Sequence, residues 1–206
     1  MSDPIDLSRR DVLVRIGASV SLAAMGENVL PAQEAEHVHH AVAGDKAANQ
    51  GTYRPRALTA HEYATLKRLT DLIIPADDRS PGALEAGAAN YIDFLCSVNQ
   101  DLKEIYTGGL AWLDDAMRRD HTTDFVTAQP VAQTAMLDRI AYRRNASAEL
   151  NPGVAFFSWV RNMTVDAYYT TPAGVKEVGF MGNGVLSEFS VPKEAVEYAV
   201  KRSPLA

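Results

Sequence analysis

The chain has a single cysteine, Cys96. One cysteine excludes an internal disulfide and the paired-cysteine attachment of a c-type haem, and no Cys/His spacing resembles a structural zinc site. Acidic residues outnumber basic ones, and the net charge of -6 lacks the basic footprint of a nucleic-acid binder. No run of like charge forms a charged tail. No apolar run reaches the roughly 20 residues that span a bilayer; the stretch from Ile16 to Met25 falls well short. There is no phosphate loop and no serine elbow. Gly179, Gly182 and Gly184 do not have dinucleotide-fingerprint spacing, and no strand–turn–helix pattern surrounds them. Period-two alternation, βαβ order and internal repeats are all missing.

What remains is helical periodicity in a chain that is 47% hydrophobic, across 206 residues. That suits one domain with an extension. The organising stretch runs from Leu58 to Cys96. Thr59 with Glu62 three residues on is a capping box. Tyr63, Leu66, Leu69, Thr70 and Ile73 then form an apolar stripe, and Pro75 ends it. Ser80-Pro81-Gly82 opens a second helix with Leu84, Ala88, Ile92, Leu95 and Cys96 on one face. Two amphipathic helices around a short Pro/Asp loop predict a helical hairpin.

A third helix is predicted over Asn99–Arg119 from Leu102, Ile105, Tyr106, Gly109, Leu110, Leu113 and Met117. Gly108-Gly109 inside it costs helix propensity, which a close helix–helix contact explains. A fourth helix, Gln129–Arg144, takes Pro130 in its first turn and carries Val131, Ala135, Leu137, Ile140 and Ala141. The fifth begins at Pro152, runs through Phe156, Phe157, Val160, Met163, Thr164, Ala167 and Tyr168, and ends at Thr171-Pro172. An irregular glycine-punctuated segment with Val178, Phe180 and Met181 follows. Pro192 opens a last short helix through Val196 and Val200.

Near the N-terminus, Ser8-Arg9-Arg10-Asp11-Val12-Leu13 resembles the twin-arginine export signal, with the short apolar run from Ile16 behind it. Val12 stands where Phe is usual. Ala41-Val42-Ala43 is the small-x-small match for cleavage. The segment 27–52, rich in Ala, Glu, His and Gly, reads as spacer or linker, and His37, His39 and His40 as solvated parts of it. The domain division expected is 1–43 signal and spacer, 44–57 linker and 58–206 helical domain.

Few residues offer chemistry. Asp77-Asp78 reads as turn chemistry and Asp114-Asp115 as a solvated helix face. His61 and His121 read as lone surface histidines. Cys96 has two readings: a small buried hydrophobe, or, in an exported chain, a covalent link to a partner. No catalytic, cofactor-binding or metal-binding residue is expected in this chain. Phe156, Phe157, Trp159, Tyr168, Tyr169 and Phe180 crowd the chain's end. One helix cannot bury all of its rings on one side, and surplus aromatics suggest an interface.

Ala57-Leu58-Thr59, Leu69 through Ile73-Ile74-Pro75-Ala76-Asp77, Pro81-Gly82-Ala83, Ala86-Gly87 and Tyr91-Ile92-Asp93 resemble, in that order, the gluconate 2-dehydrogenase subunit 3 family. Tyr168-Tyr169-Thr170, Gly174 and Gly179-Phe180-Met181-Gly182-Asn183 resemble its C-terminal pattern. The fold expected is all-α: a compact bundle of about five or six helices with an irregular C-terminal segment, behind an export signal. The resemblance implies a non-catalytic small subunit. Its partner would be a large flavoprotein of the glucose–methanol–choline oxidoreductase type, which holds FAD and the catalytic histidine and oxidises a sugar, sugar acid or glycoside. A cytochrome c subunit carrying haem c would take the electrons. The twin-arginine signal of the small subunit would carry the folded pair to the periplasm. The contacts expected with the large subunit are Trp159, Tyr169, Phe180 and Asn183, with Cys96 as a covalent link. The alternative is a stand-alone periplasmic helical protein that binds a ligand or scaffolds another complex.

Overall fold

A computed structural model describes residues 32–180 and 191–203. The export motif (Ser8, Arg9, Arg10, Val12, Leu13), Met181 and Asn183 lie outside the described residues. Within the described residues the chain is all-helical. In order, the helices are α1 (Ala32–Ala48), α2 (Ala60–Ile73), α3 (Gly82–Ala86), α4 (Ala88–Val98), α5 (Gln100–His121), α6 (Pro130–Ile140), α7 (Asn151–Tyr169), α8 (Pro172–Glu177) and α9 (Lys193–Arg202). A 3-10 turn, Arg143–Asn145, lies between α6 and α7.

α2 begins as its sequence dictates. The Thr59 Oγ1 accepts from the Glu62 amide at 3.3 Å, and the Glu62 carboxylate accepts from the Thr59 amide at 2.8 Å. A cap of this kind stabilises a helix by about 1 kcal/mol. The loop after α2 is held by Asp77, whose Oδ1 accepts from the amides of Arg79 and Ser80, both at 2.8 Å. Its turn role is therefore as expected.

The second helix of the hairpin is broken. Gly87 adopts φ 85°, a left-handed conformation that costs glycine little, and α3 stops there. The chain restarts as α4 at Ala88. Leu84, expected on the buried face, is consequently exposed, whereas Ala88, Ile92 and Cys96 are buried.

α4 and α7 form the centre. α4 packs against α1, α2, α5 and α7, and α7 also meets α2, α3, α5, α6 and α8. The α5–α7 crossing is close because of two glycines. A Cβ on Gly109 would fall 2.0 Å from the Phe156 ring, and one on Gly153 would fall 2.1 Å from the Trp112 ring. Each helix thus offers a gap to an aromatic ring of the other. Tyr106 meets Phe156 edge-on at 5.9 Å and completes the layer. The core includes Leu66, Leu69, Ile92, Leu110, Leu113, Met117, Val160 and Tyr168.

Three sequence expectations need correction. The segment read as spacer contains α1, and its Ala35, Val38 and Val42 are buried with Tyr53 in the core. The helical body therefore starts by residue 32, not 58, and Ala41-Val42-Ala43 lies within a packed helix. The stripe at 35, 38 and 42 has helical spacing but is made of small residues among His and Glu, so its periodicity is faint. Second, α6 buries Gln133, Met136, Leu137 and Ile140, while Val131 is 81% exposed. Third, the segment after Thr171 is not wholly irregular. Thr171 caps α8, its Oγ1 accepting from the Gly174 amide at 3.2 Å.

α9 ends the described residues. Its apolar Val196, Tyr198 and Val200 are exposed.

Candidate interaction surface

The side chains with chemical potential sort into pairs that hold the fold and groups that face outward. Asp93 is the clearest of the first kind. It is fully buried on α4. One carboxylate oxygen accepts from the Tyr53 hydroxyl at 2.8 Å and the Arg56 amide at 2.7 Å. The other accepts from the amides of Ala57 and Leu58 at 3.2 and 2.9 Å. Four donors replace the water lost on burial, so the charge is compensated. They also bolt the 53–58 strap, and with it α1, to the core. Burial, then the Asp93 bond, raises the Tyr53 hydroxyl far above the ordinary tyrosine value, so it stays a donor.

His39 ties down the same helix. Its Nε2 lies 2.8 Å from the Thr170 Oγ1. That hydroxyl already donates to the Asp166 carbonyl at 2.7 Å, so it receives the proton of a neutral His39. The ring also meets the Tyr91 ring at a tilt of 43°, centroids 4.9 Å apart. Burial, with a smaller contribution from neighbouring His40, lowers the His39 pKa. His39 is thus a docking residue of α1 and not a solvated part of a spacer.

His61 and Asp114 are likewise not isolated. The His61 Nε2 lies 2.6 Å from the Asp114 Oδ2, and the other Asp114 oxygen accepts from the Phe125 amide at 3.0 Å. Asp114 is 5% exposed, which overturns its reading as a solvated face. Asp124 lies close enough to complete a cluster of metal-ligand type. Arg118 bridges Asp124 and Asp115, at 2.6 and 3.0 Å. A guanidinium on the third carboxylate supplies the positive charge that a cation would bring, so the cluster reads as a structural knot.

Cys96 is 1% exposed in the core. Burial, then the nearby Asp93 carboxylate, pushes its thiol up to about 12. A buried, protonated sulfur is an inert packing group, and a partner chain cannot reach it without opening α4. The buried reading of Cys96 is the one the geometry supports.

The aromatic end of the chain divides. Phe156, Phe157 and Tyr168 are buried. Trp159 and Tyr169 are half-buried and packed on the core; Tyr169 sits edge-on to Tyr168 at 5.0 Å. Phe180 is 58% exposed and Val178 62%.

Two depressions open beside this region, around the 3-10 turn. One, of about 310 Å³, is lined by Leu72, Ile73, Leu137, Tyr142, Phe157 and Arg161, with Asp138 and Thr134 at its edge. The other, of about 550 Å³, is lined by Arg143, Val154, Ala155, Ser158 and Trp159 among others. Sequence reasoning found Trp159 here and missed Tyr142, Arg143 and Arg161. The dense Tyr142-Arg143-Arg144 run was the available signal, hidden by placing it inside the fourth helix.

Among the described residues no helix is long and apolar enough to cross a membrane. Comparison with curated proteins and with solved structures found no match. Comparison with protein families gives a match to gluconate 2-dehydrogenase subunit 3 over residues 60–186, from the first turn of α2 to beyond α8. That span is more than half of the chain, and family membership implies a subunit of a dehydrogenase complex. The chain belongs to the gluconate 2-dehydrogenase subunit 3 family.

Proposed function

We propose that this chain is the non-catalytic small subunit of a periplasmic, FAD-dependent dehydrogenase of the glucose–methanol–choline type, and that it exports and stabilises the flavoprotein subunit. The single observation that carries this reading is the family match across α2 to α8. FAD and the catalytic histidine belong to the large subunit, the substrate is a sugar, sugar acid or glycoside, and a cytochrome c subunit with haem c accepts the electrons. The Arg9-Arg10 pair supplies the address for the twin-arginine route. The fold supports an accessory role in two ways. Its buried Asp93 and Asp114 and half-buried His39 are engaged in holding helices together. Its exposed rings, Phe180 at the end of α8 and Tyr142 at the 3-10 turn, have the composition of a partner surface.

Co-expression with the flavoprotein, with an affinity tag on this chain alone, tests the reading. The untagged flavoprotein should co-purify and bring its flavin spectrum. Replacing Arg9 and Arg10 with Lys should leave both chains and the sugar-oxidising activity in the cytoplasm. A flavin spectrum from this chain alone, or unchanged periplasmic activity in the double variant, would overturn it.

A further inference from the structure

We propose that the two depressions around the Arg143–Asn145 turn form one seat for an acidic segment of the flavoprotein subunit, gripped by Arg143, Arg144 and Arg161. The proposal rests on the small-subunit reading and adds where the partner binds and what chemistry it brings.

Charge placement is the first ground. The chain as a whole is acidic, and several of its arginines are neutralised internally. Arg56 pairs with Asp45, Arg68 with Asp71, Arg118 with Asp115 and Asp124, and Arg139 with Asp120. Arg54, Arg79, Arg119 and Arg202 are exposed without a carboxylate partner among the described residues and line neither depression; Arg143, Arg144 and Arg161 are likewise exposed and unpaired. Two of these three sit at the depressions: Arg161 lines the smaller and Arg143 the larger. Arg144 lines neither depression but follows Arg143 directly, its guanidinium 4.4 Å from the ring centre of Tyr142, which lines the smaller one. Among the described residues Asp138 is the one carboxylate that lines either depression, against Arg161 and Arg143, so the described lining carries a net positive charge.

Shape and composition are the second ground. The floor is apolar: Leu72, Ile73, Leu137 and Phe157 on one side, Val154, Ala155 and the half-buried Trp159 on the other. Tyr142 stands between, 51% exposed. Arginine, tyrosine and tryptophan over an apolar floor are the residue types that dominate binding energy at protein interfaces. Guanidinium forks match carboxylates in bidentate geometry. An occupant with two or more carboxylates beside an aliphatic or aromatic anchor satisfies both features. Nucleic acid is disfavoured because the rest of the surface repels it.

The seat also has a rigid support. Phe157 and Arg161 lie one turn apart on α7, the helix against which α2, α3, α4, α5 and α6 pack. The Asn145 side-chain amide donates to the carbonyls of Asp138 and Arg139 at 3.1 and 3.2 Å, which fixes the 3-10 turn to the end of α6. Little ordering is left to be done on binding.

The test is a titration of purified chain against the flavoprotein, in wild-type form and as the double variant R143E/R161E. The expected result is a loss of affinity of at least ~10-fold in the double variant, with wild-type binding weakened by added salt. R119E is the control: Arg119 is exposed but lines neither depression, and its reversal should change binding little. Thermal melting of each isolated variant reports on the fold, and R161E alone gives the same readout should the double variant melt early. Wild-type affinity in R143E/R161E or R161E overturns the seat and leaves the subunit reading standing. No association of the wild-type chain with the flavoprotein overturns both. A dimer of this chain that the reversal dissolves, with the flavoprotein still bound, also overturns the seat by assigning it to self-association.

Discussion

The Phe156 ring fills the space that a Cβ on Gly109 would need, its Cδ2 only 2.0 Å from that position. Gly108, one residue earlier on the same helix, faces open space. The two glycines therefore make opposite predictions. Gly109→Ala forces the ring off its packing against Tyr106 and should destabilise the protein by about 1–3 kcal/mol. Gly108→Ala removes only the entropic penalty of a helical glycine and should stabilise it by up to about 1 kcal/mol. Thermal melting checks both, at roughly 2–4 °C per kcal/mol for a chain of this size. Equal effects at the two positions would mean that α5 and α7 do not cross at Gly109.

Asp93→Asn should be costly despite being nearly isosteric. Each carboxylate oxygen accepts two hydrogen bonds. An amide nitrogen in place of either oxygen faces two donors and can accept from neither. Each buried donor left unpaired costs about 1–3 kcal/mol, so a loss of about 3 kcal/mol is expected. The effect should also be local. The 53–58 strap loses its anchor, and limited proteolysis should cut between α1 and α2 faster in the variant than in the wild type. A variant that melts early but is cut no faster would detach the strap from this account.

The lowered pKa of His39 predicts an acid-sensitive α1. The folded state holds His39 neutral, whereas the unfolded chain takes up a proton near the ordinary value of 6.5. Between the lowered folded pKa and 6.5 the unfolded state therefore binds more protons. The contribution of His39 is complete above pH 6.5 and is lost as the pH falls from there toward the folded value. Melting of the wild type should fall between pH 7.5 and pH 5.5. His39→Gln keeps a hydrogen-bond donor without the titration, so its melting should fall less over the same interval. An identical pH dependence in the two proteins would remove His39 from the explanation.

Cys96 should resist alkylation. Its thiol is both buried and pushed up to about 12, so almost no thiolate exists at pH 8 and none is accessible. Native protein should stay unlabelled by iodoacetamide over hours at pH 8 and become fully labelled in denaturing urea. Fast native labelling would reopen the covalent link to a partner.

Local signals were legible and long-range ones were not. Thr59 and Glu62 specify a helix start three residues apart, and the structure has that capping box. Gly108-Gly109 announced a close crossing, though not that Phe156 would fill it or that Gly153 would answer with Trp112. The buried face of α6 was misjudged because Gln133 looks like a surface residue. It is buried since its Nε2 donates to the Phe125 carbonyl and its Oε1 accepts from the Arg68 Nε, both at 2.8 Å. The partner of Oε1 lies on α2, and no periodicity reveals it. His61 and Asp114 looked solitary for the same reason. α1 was missed because alanine and valine among histidines give a weak stripe, and its docking depends on Tyr91, Thr170 and the strap that Asp93 holds. The arginine seat is not legible because apolar spacing predicts a helix through residues 141–144, where the chain instead turns.

The sequence offers Trp159 and Phe180 alike as partner contacts, and the fold separates them. Trp159 packs on the core from α7 and lines the larger depression, so it serves stability and surface together. Phe180 is exposed beyond α8. Trp159→Ala should therefore lower the melting temperature of the isolated chain by several degrees, from a loss of about 2 kcal/mol for a half-buried ring, and should also weaken binding to the flavoprotein. Phe180→Ala should leave the isolated chain's melting within about 2 °C, since truncating an exposed side chain changes stability by no more than about 0.5 kcal/mol. Its effect on association then reads the interface directly, because no folding defect accompanies it. Weakened binding with unchanged melting places the chain end beyond α8 in the contact. Unchanged binding and unchanged melting confine the contact to the arginine seat. Early melting in Phe180→Ala would mean that this ring packs on the body in solution and is not free to meet a partner.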